Sequence, residues 1–135
     1  MKSFTFYVDG RPRGKGRPRM NTKTGRIFTP AATKQRESEI RQAFIRQGGE
    51  SFCGVPVMVR YVSYHPMPQS WSKKRKDEAR ETYCDRKPDL DNQIKMLDGL
   101  NGVAWDDDKS VVAIVAKKVW ADHGGVEITI TDMSE

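Results

Sequence analysis

The acidic residues of this chain are concentrated where they could do chemistry. Asp85, Asp89, Asp91, Asp98, Asp106, Asp107 and Asp108 are seven of its 18 acids, and they lie within 24 residues. Carboxylate oxygens are the hard ligands that Mg²⁺ requires, usually few from protein and the rest from water and substrate phosphate. A bound Mg²⁺ polarises a phosphoryl oxygen and turns water into a nucleophile. Lys95 follows Asp91 by one helical turn, a position from which an ammonium can stabilise charge developing on phosphorus. Ordinary structural roles compete with this. Asp89 suits a helix N-cap, and Asp91 with Lys95 suits an i,i+4 surface pair of small worth. Those roles leave the Asp106-Asp107-Asp108 run unexplained. An EF-hand loop is excluded: the sixth loop position is Ile94 counting from Asp89 or Val111 counting from Asp106, and neither loop has Glu at its twelfth. Two cysteines, Cys53 and Cys84, and two histidines, His65 and His123, stand at no zinc-ligand spacing.

The cations have their own cluster. Residues 11–19 read RPRGKGRPR, with Arg11, Arg13, Lys15, Arg17 and Arg19 at every second position. The interleaved prolines and glycines deny this segment both a helix and a central strand. In an extended arm, alternation places all five cations on one side, a row that suits a phosphate backbone. Lys73 and Lys74 begin a second basic run, either against DNA or simply solvated. Over the 135 residues, 24 Lys and Arg stand against 18 Asp and Glu, a formal net charge of +6. The excess favours an acidic partner, with nucleic acid first among candidates. Carboxylates beside a DNA-binding face would repel DNA unless a cation sat among them, so the two clusters together point to a divalent metal at a phosphodiester.

Length and patterning describe the scaffold. The chain is expected to form a single domain over 1–135, with the 11–19 arm inside it. Alternation in Lys2–Asp9, Val55–Tyr64, Val111–Trp120 and from Val126 onward predicts four strands. Asp122 to Gly125 reads as a hairpin turn joining the last two. Thr29-Pro30 predicts a helix start, with Thr29 as cap, running to about Gln47 with Ile40, Ala43, Phe44 and Gln47 on one face. Ser70 or Ser72 could cap a short helix through Arg80, with Trp71 as a packing anchor. Asp89–Asn101 reads as a second main helix, its apolar stripe on Leu90, Ile94, Leu97 and Leu100 and its polar face on Asp91, Lys95 and Asp98. The sum is an α+β domain with a mixed sheet of about four strands and two main helices. No run approaches the ~18 apolar residues of a membrane span. The polar N-terminus does not suit a signal peptide, and the sparse cysteines suit a reducing cytoplasm.

Three pieces in order carry a specific likeness. Lys87-Pro88-Asp89-Leu90-Asp91-Asn92-Gln93-Ile94-Lys95 is followed by Asp98-Gly99-Leu100-Asn101-Gly102 and then by Trp105-Asp106-Asp107-Asp108-Lys109-Ser110-Val111. This series resembles the RusA family of Holliday-junction resolvases. Gly10–Arg19, Phe28–Thr33 and Pro68–Lys74 extend the likeness over most of the chain. The resemblance implies a RusA-like fold in a homodimeric, Mg²⁺-dependent endonuclease that nicks two strands of a four-way DNA junction symmetrically. It places the metal on Asp89, Asp91 and Asp108, with Asp107 as the other candidate for the third ligand, and makes Lys95 the functional lysine. Lys117 or Lys118 is a possible accessory, though neighbours on a strand face opposite ways. The family setting implies a bacterial host cytoplasm and a phage or prophage origin, with neither membrane nor nucleotide cofactor. Apart from the family, two symmetric cuts call for two sites, which a two-fold dimer supplies.

Two rival readings remain open on the sequence. Pro88-Asp89 with Asp107-Asp108-Lys109 also spells the PD-(D/E)xK nuclease signature, in which these residues would lie at a turn and on a strand. A helix over 89–101 would remove that reading. The basic arm alone would suit a protein that binds structured DNA without cutting it.

Overall fold

The computed structural model describes residues 2–134. Strand β1 (Ser3–Asp9) buries Phe6 and Val8, half-buries Phe4 and turns Thr5 and Tyr7 outward. The chain then runs without regular structure to a small hairpin of β2 (Arg19–Met20) and β3 (Ile27–Phe28). Helix α1 (Ala31–Arg46) follows and buries Ile40, Ala43 and Phe44. Strands β4 (Val57–Pro66), β5 (Val111–Ala121) and β6 (Gly125–Asp132) join β1 in one sheet of order β1-β6-β4-β5. The sheet is mixed: β4 and β5 are parallel, and the other neighbours antiparallel. A parallel pair requires a long crossover. Here the crossover contains α2 (Lys73–Ala79), α3 (Leu90–Ile94) and two 3-10 segments, Lys95–Leu100 and Asp108–Ser110. It carries the whole acid cluster.

The fold is α+β, as the patterning predicts, and three local expectations are corrected. The first concerns the end of the chain. β5 and β6 are not hairpin partners, because β4 lies between them. The 122–124 turn instead crosses the end of β4, with Gly124 against Pro66. It spans two inter-strand spacings, on the order of 10 Å. The second concerns α1. Pro30, not Thr29, occupies the cap position with ψ 143 and no side-chain cap bond. Its carbonyl accepts from the Thr33 and Lys34 amides.

The third concerns 89–101. Only Leu90–Ile94 is α-helical, and Lys95–Leu100 tightens into a 3-10 helix. That change of period alters the buried face. Gln93, Met96, Leu97 and Leu100 are buried, whereas Leu90 and Ile94 are only half-buried. Contact with α1 accounts for the close packing here. A Cβ on Gly99 would come within 2.5 Å of the Glu37 carbonyl oxygen, an approach that glycine permits. Arg41 Nε also donates to the Gly99 carbonyl at 3.0 Å.

One core joins these parts. Ile128 and Ile130 of β6, Val57, Val59 and Tyr61 of β4 and Phe44 of α1 pack with Leu100 and Trp105 of the crossover. Phe44 meets Phe4 and Phe6 edge-on at 5.5 and 5.4 Å. Each fully buried aliphatic or phenyl side chain contributes about 1.5–3 kcal/mol. The crossover segments 90–100 are thus seated on the sheet and α1 through the same core. A smaller cluster of Met67, Cys84 and Trp120 holds α2, with the Trp71 ring 4.8 Å from that of Trp120 and tilted 60° to it, and Arg75 over Trp71 at 4.0 Å.

Candidate active site

The head of α3 presents two carboxylates. Asp89 sits at the N-cap in extended conformation, but its side chain makes no capping hydrogen bond. Asp91 lies in the first turn. Both are exposed, and neither has a salt-bridge or hydrogen-bond partner for its carboxylate among the described residues. The capping role that competes for Asp89 is therefore not taken up. Lys95 is likewise not paired with Asp91.

The triple aspartate divides its work. Asp106 accepts from the Cys53 thiol at 2.9 Å and the Gly54 amide at 3.2 Å, which fastens the 51–54 turn and holds its own carboxyl low. Asp107 caps the following 3-10 turn through the Asp108 amide at 2.8 Å. Asp108 lines a cavity of about 240 Å³ with Lys95, Asp98, Asn101, Trp105 and Ile114. A hydrogen bond with Asp107, then the charges of Asp107 and Asp98, push its carboxyl up. A group so placed gains from a cation. Asn101 Oδ1 accepts from Trp105 Nε1 at 2.7 Å and so braces the cavity wall.

The sequence-derived site is thus brought together in part. Lys95 and Asp108 share a cavity, and Asp89 and Asp91 stand on the exposed start of α3 beside it in the chain. Among the described residues, no three His, Cys, Asp or Glu side chains form a ready-made metal cluster. The donor set nevertheless fits Mg²⁺, which binds through one or two carboxylates and keeps water and phosphate as its other ligands.

The basic arm lies across this site. The Lys15 amide donates to the Asn92 carbonyl at 2.9 Å, and a Cβ on Gly14 would meet Asn92 and Pro88 at 3.1 and 3.3 Å. The Gly16 amide donates to Thr33 Oγ1 at 2.9 Å. The five cations do not form one row. The Lys15 ammonium turns in to Asp98 at 2.8 Å and Glu37 at 3.4 Å, joining the arm to the 3-10 helix and α1. Partial burial pulls its pKa down, but the bond to Asp98 and the two negative charges outweigh that and leave it raised. Arg11, Arg13, Arg17 and Arg19 are exposed and form no salt bridge among the described residues. Arg13, Arg17 and Arg19 line a groove of about 470 Å³. Lys73 and Lys74 lie exposed on α2. Lys118 donates to the Arg86 and Pro88 carbonyls, while Lys117 is exposed on the other face of β5.

Behind α3 lies a polar network that the motifs do not single out. Gln93 is fully buried. Its Nε2 donates to the Pro88 carbonyl at 3.0 Å and to His65 Nε2 at 3.2 Å. Its Oε1 accepts from the Tyr61 hydroxyl at 3.1 Å and the Ser63 hydroxyl at 2.6 Å. The amide is saturated and pins the peptide before Asp89 to β4. The available signal was a glutamine inside an apolar stripe, opposite Ser63 and His65 at inward positions of a strand.

The crossover thus presents exposed aspartates and a lysine, and the basic arm between β1 and β2 lies against it, an arrangement suited to a phosphodiester substrate. The model of the family described as Endodeoxyribonuclease RusA matches residues 9–131, and the chain belongs to that family. Membership implies a nuclease of the Holliday-junction-resolvase type. The chain is also similar to Uncharacterized protein YqaN of Bacillus subtilis (strain 168), at 31% identity over 99% of each chain. The helical 90–100 segment disfavours the PD-(D/E)xK arrangement, since Asp89 opens a helix and Lys109 precedes its strand. Among the described residues, no helix is long and apolar enough to cross a membrane.

Proposed function

We propose that this protein is a Mg²⁺-dependent, structure-selective endodeoxyribonuclease that resolves four-way DNA junctions by paired symmetric nicks. The observation that carries this is the laying of a basic arm directly over the helix that bears two unpartnered aspartates. Phosphate is attracted where only a cation could make the carboxylates tolerable.

Asp89, Asp91 and Asp108 are the residues to hold the metal. When bound, Mg²⁺ supplies a polarised phosphoryl oxygen and a more acidic water. Lys95 stabilises the charge that develops on the phosphoryl oxygens. Arg13, Arg17 and Arg19 bind flanking phosphates, and Arg forks suit such oxygens. Lys15, neutralised by Asp98 and Glu37, holds the arm in register. Asp107 serves Asp108 by fixing its turn, which favours Asp108 as the third ligand.

Two cuts call for a dimer, and β5 offers an edge for a second copy. Residues 81–84 cover its C-terminal half through the Cys84 amide to the Lys118 carbonyl and the Trp120 amide to the Thr82 carbonyl. Its N-terminal half exposes Val112, Ile114 and Val115. Open apolar edges favour pairing.

The test is a supercoiled plasmid carrying a cruciform, with purified protein and either Mg²⁺ or EDTA. Linear product formed directly, only with Mg²⁺, is the expected result, because paired nicks within one complex open both strands. Nicked circles alone would remove the dimer from the proposal. Binding with no Mg²⁺-dependent nicking would make the protein a structured-DNA binder.

The arm has its own expected outcome. Arg17→Gln with Arg19→Gln should weaken junction binding and flatten its salt dependence by about 0.9 in log–log slope per lost contact. Titration across salt concentrations checks this. An unchanged slope returns these arginines to solvent.

A further inference from the structure

A second basic cavity, of about 210 Å³, adjoins the aspartates but is not lined by any of them. Its walls include Arg11, Arg86, Lys87, Trp120, Pro88 and His65. Among the described residues, no carboxylate lines it. Arg11 begins the arm and lies against Gly124, where an added Cβ would stand 3.0 Å from the Arg11 Cα. Asp122 in that same turn is taken by Arg80, which donates to both its oxygens at 3.1 and 2.9 Å. Arg86 and Lys87 are exposed. Trp120 is buried and gives the cavity an apolar side, with the Arg86 guanidinium 5.9 Å from its ring centre.

The floor is more specific than a cluster of surface charges. His65 is only 4% exposed, and its hydrogen-bond roles can be assigned. The Pro88 carbonyl can only accept, so the amide nitrogen of Gln93 must face it. The other donation from that nitrogen goes to His65 Nε2, which is therefore the acceptor. The proton of the neutral ring sits on Nδ1. Burial first, then Lys118 and Arg11, push the imidazole pKa down to about 4, so the ring is neutral at pH 7. Nδ1–H has no protein acceptor among the described residues, and His65 lines the cavity. That N–H is therefore left to donate to whatever occupies the cavity.

Three cations and one neutral imidazole donor, with no acid among the described lining residues, make an anion site. We propose that this cavity binds a DNA backbone phosphate next along the strand from the phosphate at Asp89 and Asp91. The phosphate's origin in DNA rests on the nuclease proposal; the anion chemistry does not. Pro88 links the two sites, since its ring lines the cavity and Asp89 follows it directly. Its carbonyl is held by both Gln93 and Lys118. A phosphate anchored here fixes the strand relative to the aspartates without adding charge at the metal.

The experiment is a scan in EDTA, so that no cleavage occurs. Labelled four-way junctions each carry one neutral methylphosphonate, stepped along the strand around the crossover. Their binding is compared for the wild type, for Arg11→Gln with Lys87→Gln, and for Arg17→Gln with Arg19→Gln. The wild type should lose about tenfold in affinity at the position seated in this cavity, besides any losses at phosphates held by the arm, the scale of a charge-assisted hydrogen bond. The Arg11/Lys87 variant should bind the unmodified junction about as weakly and be indifferent to that methylphosphonate. The Arg17/Arg19 variant should still respond to it. If the Arg11/Lys87 variant responds like the wild type at every position, the subsite is overturned. Because the readout is binding alone, a failure of the nuclease proposal would show separately, as a wild type that binds the junction and leaves it uncut in Mg²⁺. All four altered side chains are exposed, and thermal unfolding confirms the fold of each variant.

Discussion

Changing Asp91 to asparagine is expected to lower Mg²⁺-dependent junction cleavage by about 10³-fold or more, while junction binding is kept or tightened. Asparagine preserves the shape and stays compatible with the first turn of α3, but it supplies no negative charge to a metal. Loss of about 4 kcal/mol of transition-state stabilisation corresponds to that factor. The carboxylate is exposed and bonds to no protein group, so the fold should not register the change. Removing a negative charge beneath the arm should also ease the approach of phosphate. Asp89→Asn should behave alike, since its carboxylate makes no cap bond. Gel-shift binding in EDTA and nicking in Mg²⁺, measured on the same preparations, check both halves. Parallel loss of binding and cleavage would falsify the metal role.

Gln93→Ala is expected to be the most destabilising single change near the site, at about 2–5 kcal/mol. The Tyr61 and Ser63 hydroxyls would lose their acceptor inside the core, each at about 1–3 kcal/mol, and a cavity would open behind α3. Gln93→Leu should fill the space yet leave the hydroxyls unpaired. Adding Tyr61→Phe and Ser63→Ala to Gln93→Leu should recover much of the loss, because removing both partners of a buried bond costs little. Urea unfolding of the single, double and triple variants reads the coupling directly. Additive effects would show that the network contributes nothing beyond its separate parts.

Local periodicity made the four main strands legible. Phe4, Phe6 and Val8, or Val126, Ile128 and Ile130, alternate so regularly that one face must be buried. Partnership was less legible. A tight turn between two strands usually joins neighbours, and only the long-range pairing of β4 with both β5 and β6 displaces that rule here. The switch to a 3-10 helix at Lys95 also lay beyond local reading, because the contact between Gly99 and Glu37 joins segments far apart in sequence. Lys15 illustrates the same limit: its place in the alternation matches that of the four arginines, but its ammonium finds Asp98 and Glu37 through the tertiary fold. The proposed ligands Asp89 and Asp91, and Asp108 with Asp107 as the other candidate, came from the motif resemblance and are not tested by the fold. Gln93 was not singled out, since a lone polar residue in an apolar stripe has many ordinary explanations.

The strand order has a consequence for how the protein is made. β1 is made more than a hundred residues before β6, its one sheet partner among the described residues. β4 too must wait, since both of its neighbours follow it. During synthesis, Phe6 and Val8 therefore remain without a sheet partner, and Val57 and Val59 without one of theirs, until residues 125–132 have emerged. A message truncated before residue 125 would yield a product with β1 unpaired and β4 lacking one neighbour. Such a product should be cleared by cellular proteases rather than persist as a DNA-binding fragment, so the charged arm is presented in ordered form only once β6 has been made.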